Sequence, residues 1–147
     1  MSKGSVKLHP REIDGLLIFD LTGRIVLGPE LATLQDSVEA GLKKGHKRQI
    51  LNLKQVSTID SSGLGTLVFL HTTLAGANGD LKLLHLSEKH LELLVLTKLT
   101  GVFEIFDDEQ EAINSFYPER KVRRFDILQF VKEQENREPT IGEPVKE

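Results

Sequence analysis

Short apolar runs alternate along this chain with segments whose apolar residues recur at helical spacing. The runs are Leu16-Leu17-Ile18-Phe19-Asp20-Leu21, Gln49 to Leu53, and Leu81-Lys82-Leu83-Leu84-His85-Leu86. The helical patterns are Leu31, Leu34, Val38 and Leu42; then Leu64, Leu67, Val68 and His71; then Leu91, Leu94, Val95 and Leu99. A strand, a helix and a second strand in succession make a crossover, so the two strands lie parallel. The alternation therefore predicts an α/β domain on a mixed sheet. Val6 to Ile13 reads as one more strand, and Gly15 marks the tight turn that pairs it with Leu16–Leu21 as a hairpin. Thr22-Gly23 is expected to close that second strand. Leu81–Leu86 is strongly apolar and is expected near the centre of the sheet.

Punctuation supports these assignments. Gly28-Pro29 suits the start of the first helix, because proline in a first turn lacks an N–H that would be unpaired anyway. Gly45 is expected to end it, Gly76 and Gly79 the second helix, and Gly101 the third, which Ser87 caps. Val102 to Phe106 reads as a short strand. Asp107-Asp108-Glu109 places acidic groups at the start of a last helix that buries Ala112, Ile113 and Phe116. Pro118 marks the end of the domain, giving a unit of residues 1–117 and an extension of residues 118–147. The extension begins with a basic cluster, Lys121, Arg123 and Arg124. Phe125, Leu128, Phe130 and Val131 then give one face of a short helix from near Asp126; two outcomes are open for the extension, that it is solvated with no specific role, or that this face docks on the domain or on a second copy in a homodimer. Beyond Arg137, Pro139, Gly142 and Pro144 among charges read as a disordered tail.

Composition narrows the function. The chain has no cysteine, which excludes thiol catalysis and a disulfide framework. A net charge of −3, one Tyr and no Trp argue against direct binding of nucleic acid. No apolar run reaches the roughly 18 residues of a membrane span, and the N-terminus lacks the apolar segment of a signal peptide. The expected location is the cytoplasm.

The segment richest in chemical possibility is Asp60-Ser61-Ser62-Gly63-Leu64-Gly65, where a strand hands over to a helix. Backbone N–H groups are unpaired at such a junction and negative charge is tolerated there. A serine in that place can cap the helix, act as a nucleophile or accept a phosphate. The nucleophile elbow needs a glycine two residues before the serine, but Ile59 and Asp60 occupy the positions before Ser61 and Ser62. None of the five histidines sits in a catalytic context; His71 lies too far along the helix to serve Ser61, and His90 is expected to be exposed. No spacing suggests a metal site. Gly63-x-Gly65 is only a fragment of a dinucleotide fingerprint, without the third glycine, and the Walker A lysine is missing. No catalytic residue, metal or cofactor is therefore expected. Capping by Asp60 or Ser61 is a sufficient local account of the polar residues. It does not explain two glycines in the first turns of a helix, each costing up to about 1 kcal/mol. Phosphorylation uses the whole site: about −1.5 to −2 charges beside Asp60 would repel a partner docked there while leaving the fold intact.

The run from Ile50 to Gly65, ending in Thr58-Ile59-Asp60-Ser61-Ser62-Gly63-Leu64-Gly65, resembles the signature of the STAS family (sulphate transporter and anti-sigma factor antagonist domains). Leu21-Thr22-Gly23-Arg24, Gly79-Asp80-Leu81-Lys82-Leu83 and Leu96 to Phe103 resemble further family segments, so the likeness covers Val6 to Phe116. The resemblance implies a STAS-like mixed sheet with about four helices mainly on one face, plus the C-terminal extension. It also implies a bacterial anti-sigma factor antagonist that switches partners and is not itself an enzyme. Unphosphorylated, such a protein binds an anti-sigma factor that is also a serine-protein kinase. Phosphorylation at the position of Ser61, rather than Ser62, releases it, and a phosphatase resets the switch. Asp60, Ser62, Gly63, Leu64, Gly65 and Arg24 are implied as partner-binding residues. Many members carry an acidic residue where this chain has Val26. Within the same family, a scaffold module of a signalling complex or a subunit of a lipid-transport ATPase are alternatives.

Overall fold

The computed structural model describes residues 6–120 and 127–137, with side chains through residue 134. Five strands form one sheet in the order β1-β2-β3-β4-β5: β1 Lys7–Ile13, β2 Leu16–Ile25, β3 Arg48–Ile59, β4 Asp80–Leu84 and β5 Ile105–Phe106. β1 and β2 pair antiparallel as the opening hairpin, and every later pair is parallel. The crossovers are made by α1 Pro29–Lys43, α2 Ser61–Gly76 and α3 Glu88–Leu96; α4 Glu109–Asn114 follows β5, and α5 Ile127–Arg137 lies in the extension. The expected mixed α/β sheet is the observed one, with five helices.

Alternation along the strands divides the interior in two. Leu17, Phe19, Leu21, Leu51, Leu53 and Leu83 point to the larger core, which α1, α2 and α3 cover. Leu16, Ile18, Ile50, Leu84 and Phe106 point the other way, onto Ala112 and Ile113 of α4. Helices thus pack mainly on one face. On the α4 side, Arg11 of β1 bridges Asp20 of β2 (Nε to Oδ2, 2.6 Å) and Glu109 of α4 (Nη2 to Oε1, 2.6 Å). Hydrogen bonds from the guanidinium hold both carboxyls below their ordinary pKa.

Several boundaries differ from the sequence reading. Thr22-Gly23 does not close β2, which continues to Ile25, and β3 does not stop at the expected Leu53 but runs on through Lys54 to Ile59. These residues pair with β2 through two register shifts, so bulges, not a loop, absorb the extra residues. β5 is only Ile105–Phe106, shorter than Val102 to Phe106. His90 is buried, at 2% exposure, rather than exposed. It lies on the same helical arc as Leu91 and Leu94, and a period of 3.6 carries that arc into the core whatever residue occupies it. Burial pushes its imidazole pKa down. His71 is half-buried at the edge of the α2 stripe, its ring edge-on to Phe103 at 5.3 Å.

In the extension, Phe130 joins the larger core and Ile127 packs against it, whereas Leu128 is 64% exposed. The docking face of α5 is therefore Ile127 and Phe130, three residues apart, and not the expected face containing Leu128. Phe125, the basic cluster, the Asp126 helix start and the tail beyond Arg137 lie outside the described residues. Phe130→Ala should lower unfolding free energy by about 3 kcal/mol, measured by urea denaturation, while Leu128→Ala should leave the midpoint unchanged.

Candidate functional site

β2 and β3 end side by side, with Ile25 opposite Ile59, and α2 starts at the next turn of chain. Asp60 is the junction. Its backbone N–H donates to the Ile25 carbonyl at 3.2 Å. Its side chain caps α2, with Oδ1 accepting from the Gly63 N–H at 2.8 Å. The other carboxylate oxygen, Oδ2, accepts from the Leu27 N–H at 3.0 Å, in the loop between β2 and α1. Asp60, and not Ser61, is the cap. Both hydrogen bonds favour the ionised form, Leu27 most and Gly63 next, and hold the carboxyl below its ordinary pKa.

The two glycines have different explanations. A Cβ on Gly63 would overlap the Ile25 carbonyl oxygen, so only glycine lets α2 start this close to β2. A Cβ on Gly65 would meet nothing within 4 Å. Gly65 faces outward in open space, where it keeps the helix surface flat.

Ser61 is exposed at the first helical position, and its hydroxyl makes no hydrogen bond to a described residue. Ser62 is half-buried, its carbonyl accepting from Thr66 Oγ1 at 3.0 Å. Gly63 and Leu64 are buried against the sheet side of the helix. Ser61, Gly65 and Phe69 fall four residues apart and share one exposed stripe. α2 carries no Asp, Glu, Lys or Arg from Ser61 to Gly76. Phe69 is 47% exposed on it, and Leu27, tied to Asp60, is 76% exposed beside its N-terminus. Sequence reasoning did not single out Leu27 or Phe69. The signal for Phe69 was its spacing of four from Gly65; Leu27 becomes part of the site only through the Asp60 hydrogen bond. Arg24 stands opposite Thr58 in the β2–β3 register, and its exposed side chain points to the face of the sheet opposite the one Ile25 buries. The structure therefore groups Asp60, Ser61, Ser62 and Gly65 on one surface and sets Arg24 behind it. Val26 is half-buried in the adjoining loop.

The family model described as STAS domain matches residues 7–112. This chain belongs to the STAS domain family. A relative in Bordetella bronchiseptica, provisionally named anti-sigma factor antagonist BtrV, is 27% identical over 111 residues, which are 76% of this chain and 95% of the relative. Among solved structures, the anti-sigma factor antagonist SpoIIAA in its unphosphorylated form superposes with a TM-score of 0.66 at 18% identity, covering 78% of this chain and all (100%) of that one. The Bacillus cell fate determinant SpoIIAA in its phosphorylated form gives 0.60 at 19% identity, covering 75% and 99%. At these identities the superpositions establish a shared fold. No helix of this STAS domain, among the described residues, is long and apolar enough to cross a membrane.

The STAS junction makes two outcomes measurable. Gly63→Ala should destabilise the domain by about 1–3 kcal/mol through overpacking against Ile25. Gly65→Ala should be neutral or stabilise by up to about 1 kcal/mol as a better helix former; chemical denaturation of both variants checks the contrast. The Asp60 ties also depend on pH. A carboxyl whose folded pKa is depressed contributes stability that is complete above its unfolded value, about 3.9, and is lost as pH falls through the folded value. The Leu27 and Gly63 amide resonances should therefore shift together in acid, and Asp60→Asn should abolish that coupled shift.

Proposed function

We propose that this chain is an anti-sigma factor antagonist that works by partner switching, with Ser61 as the switch. The observation that carries this reading is the exposed Ser61 hydroxyl, without a hydrogen bond among the described residues, on an uncharged helix face held at its N-terminus by Asp60. In the unphosphorylated state, the stripe of Ser61, Gly65 and Phe69 with Leu27 docks an anti-sigma factor that is also a serine-protein kinase. Gly65 lets the partner's backbone approach closely, and Phe69 and Leu27 supply apolar contact. Ser62 and Asp60 border this contact, whereas Arg24 lies behind it on the opposite face of the sheet.

Transfer of a phosphoryl group from ATP to Ser61 Oγ adds about −1.5 to −2 charges on a surface that has none along the helix. The dipole of α2 and its first N–H groups accommodate the phosphate, so the fold is retained. A partner shaped to an uncharged face then meets a desolvated dianion beside Asp60. A loss of about 3 kcal/mol lowers affinity roughly a hundredfold. Release frees the anti-sigma factor to rebind its sigma factor, and a phosphatase restores the hydroxyl. The chain is thus a substrate and binding module in the cytoplasm, not an enzyme. The family relationship supports this reading: the Bordetella relative carries the antagonist name, and a solved structure with the same fold is a phosphorylated form.

Incubation with its partner kinase and ATP should add one phosphate by intact-mass measurement, absent in Ser61→Ala and retained in Ser62→Ala. Ser61→Asp should weaken binding to the anti-sigma factor at least roughly tenfold without lowering thermal stability. Binding of Ser61→Asp as tight as that of the parent would overturn the switch, and phosphate uptake without loss of binding would favour a scaffold role instead.

A further inference from the structure

The two faces of the sheet are covered unequally. α4 is six residues long, and on its side it covers Leu16, Ile18, Ile50, Leu84 and Phe106. Beyond them β2 and β3 continue to Ile25 and Ile59, and the side chains on that same face are open: Lys7, Arg24, Lys54 and Gln55 are exposed, and Thr22 is half-buried. The register aligns them. Lys7 stands opposite Thr22 and Thr22 opposite Gln55, a row spanning about 10 Å at the ordinary strand spacing. The bulge between the Asp20–Asn52 and Thr22–Gln55 pairs turns Lys54 as well as Gln55 outward, because Leu53 and Val56 on either side are buried in the larger core.

The charges on this face are positive on balance: the single Arg11 guanidinium offsets one of the two carboxylates it holds, and Lys7, Arg24 and Lys54 outweigh the other. Asp20 and Glu109 at its lower margin are both engaged by Arg11. Lys7, Arg24 and Lys54 have no carboxylate partner among the described residues. A net positive patch therefore sits on a chain whose net charge is −3. Between the cations lie hydroxyl and amide groups: Thr22, Gln55, and Ser57, whose Oγ reaches the Gly23 carbonyl at 3.4 Å.

We propose that this open half of the sheet docks an acidic segment of a partner protein, on a surface separate from the outer face of α2. Three cations with hydrogen-bonding groups between them match carboxylates presented across the strands. The patch offers no aromatic ring for base stacking. It also falls short of the four to eight basic residues typical of anionic-lipid sites and has no exposed apolar side chain to insert. The pairing is electrostatic and solvent-exposed, so it is weak per contact, fast and sensitive to salt.

The test is an NMR titration of the isotope-labelled full chain with octaglutamate at low salt. Amide shifts should concentrate on Lys7, Thr22, Arg24, Lys54 and Gln55, and vanish at high salt. Lys7→Gln/Lys54→Gln should bind the peptide about tenfold more weakly, with an unchanged spectrum elsewhere. Arg24→Gln tests the same patch by itself. Shifts centred on Lys43, Lys44 and Lys47, no shifts at all, or undiminished binding by the double variant would each overturn the proposal. Tighter capture by oligothymidine, or by vesicles containing phosphatidylserine, would overturn it in favour of nucleic acid or membrane.

Discussion

Asp60, through its backbone N–H and its carboxylate, holds three stretches of backbone in register: the end of β2 and its loop, the end of β3, and the start of α2. Its neighbour Gly63 makes this possible by leaving room for the Ile25 carbonyl. Close approach and cap depend on each other. Without the glycine, α2 would be pushed away from β2 and the Leu27 bond would be out of reach. Without the cap, the first turn of α2 would have unpaired donors and no fixed origin. The position of every residue on the outer stripe follows from that origin, since a helix rotates its side chains by a fixed angle per residue.

That rigidity separates fold from function. The residues that hold the junction, Asp60, Gly63 and Leu64, are engaged by neighbours or buried, whereas Ser61, Gly65 and Phe69 face solvent without stabilising anything visible. Chemistry at Ser61 can therefore alter a surface without unlocking the sheet. A phosphate at the first position of a helix is electrostatically compatible with its dipole, which makes a charge switch possible at little expense in stability. The Arg11 network performs the opposite task on the other side of the sheet. It spends its charges internally, tying β1, β2 and α4 together, and leaves the cations above it unmatched.

Much of this was legible before any coordinates. The strand–helix alternation gave the mixed sheet, and Gly28-Pro29, Ser87 and Asp107-Asp108-Glu109 marked helix starts that the structure retains. The residues that were misread have a common cause. Lys54 to Ile59 is polar because one face of β3 has no covering layer there, so a strand had the composition of a loop. His90 is buried because α3 has to present that arc to the core, a requirement set by neighbouring elements. Leu128 and Phe130 are both apolar and close in sequence, and only the direction in which α5 meets the core distinguishes the exposed one from the buried one.

The sequence by itself determined the α/β class, the position of the serine at a strand-to-helix junction and the family to which the chain belongs. Local propensity, capping and spacing act over a few residues and leave their record there. Only the tertiary structure decided that Gly63 is required and Gly65 is not, that Asp60 reaches back to Leu27, and that Lys7, Arg24 and Lys54 share one open face. Each of these relations joins residues that are distant in the chain, and the backbone path that brings them together is fixed by packing of the whole sheet.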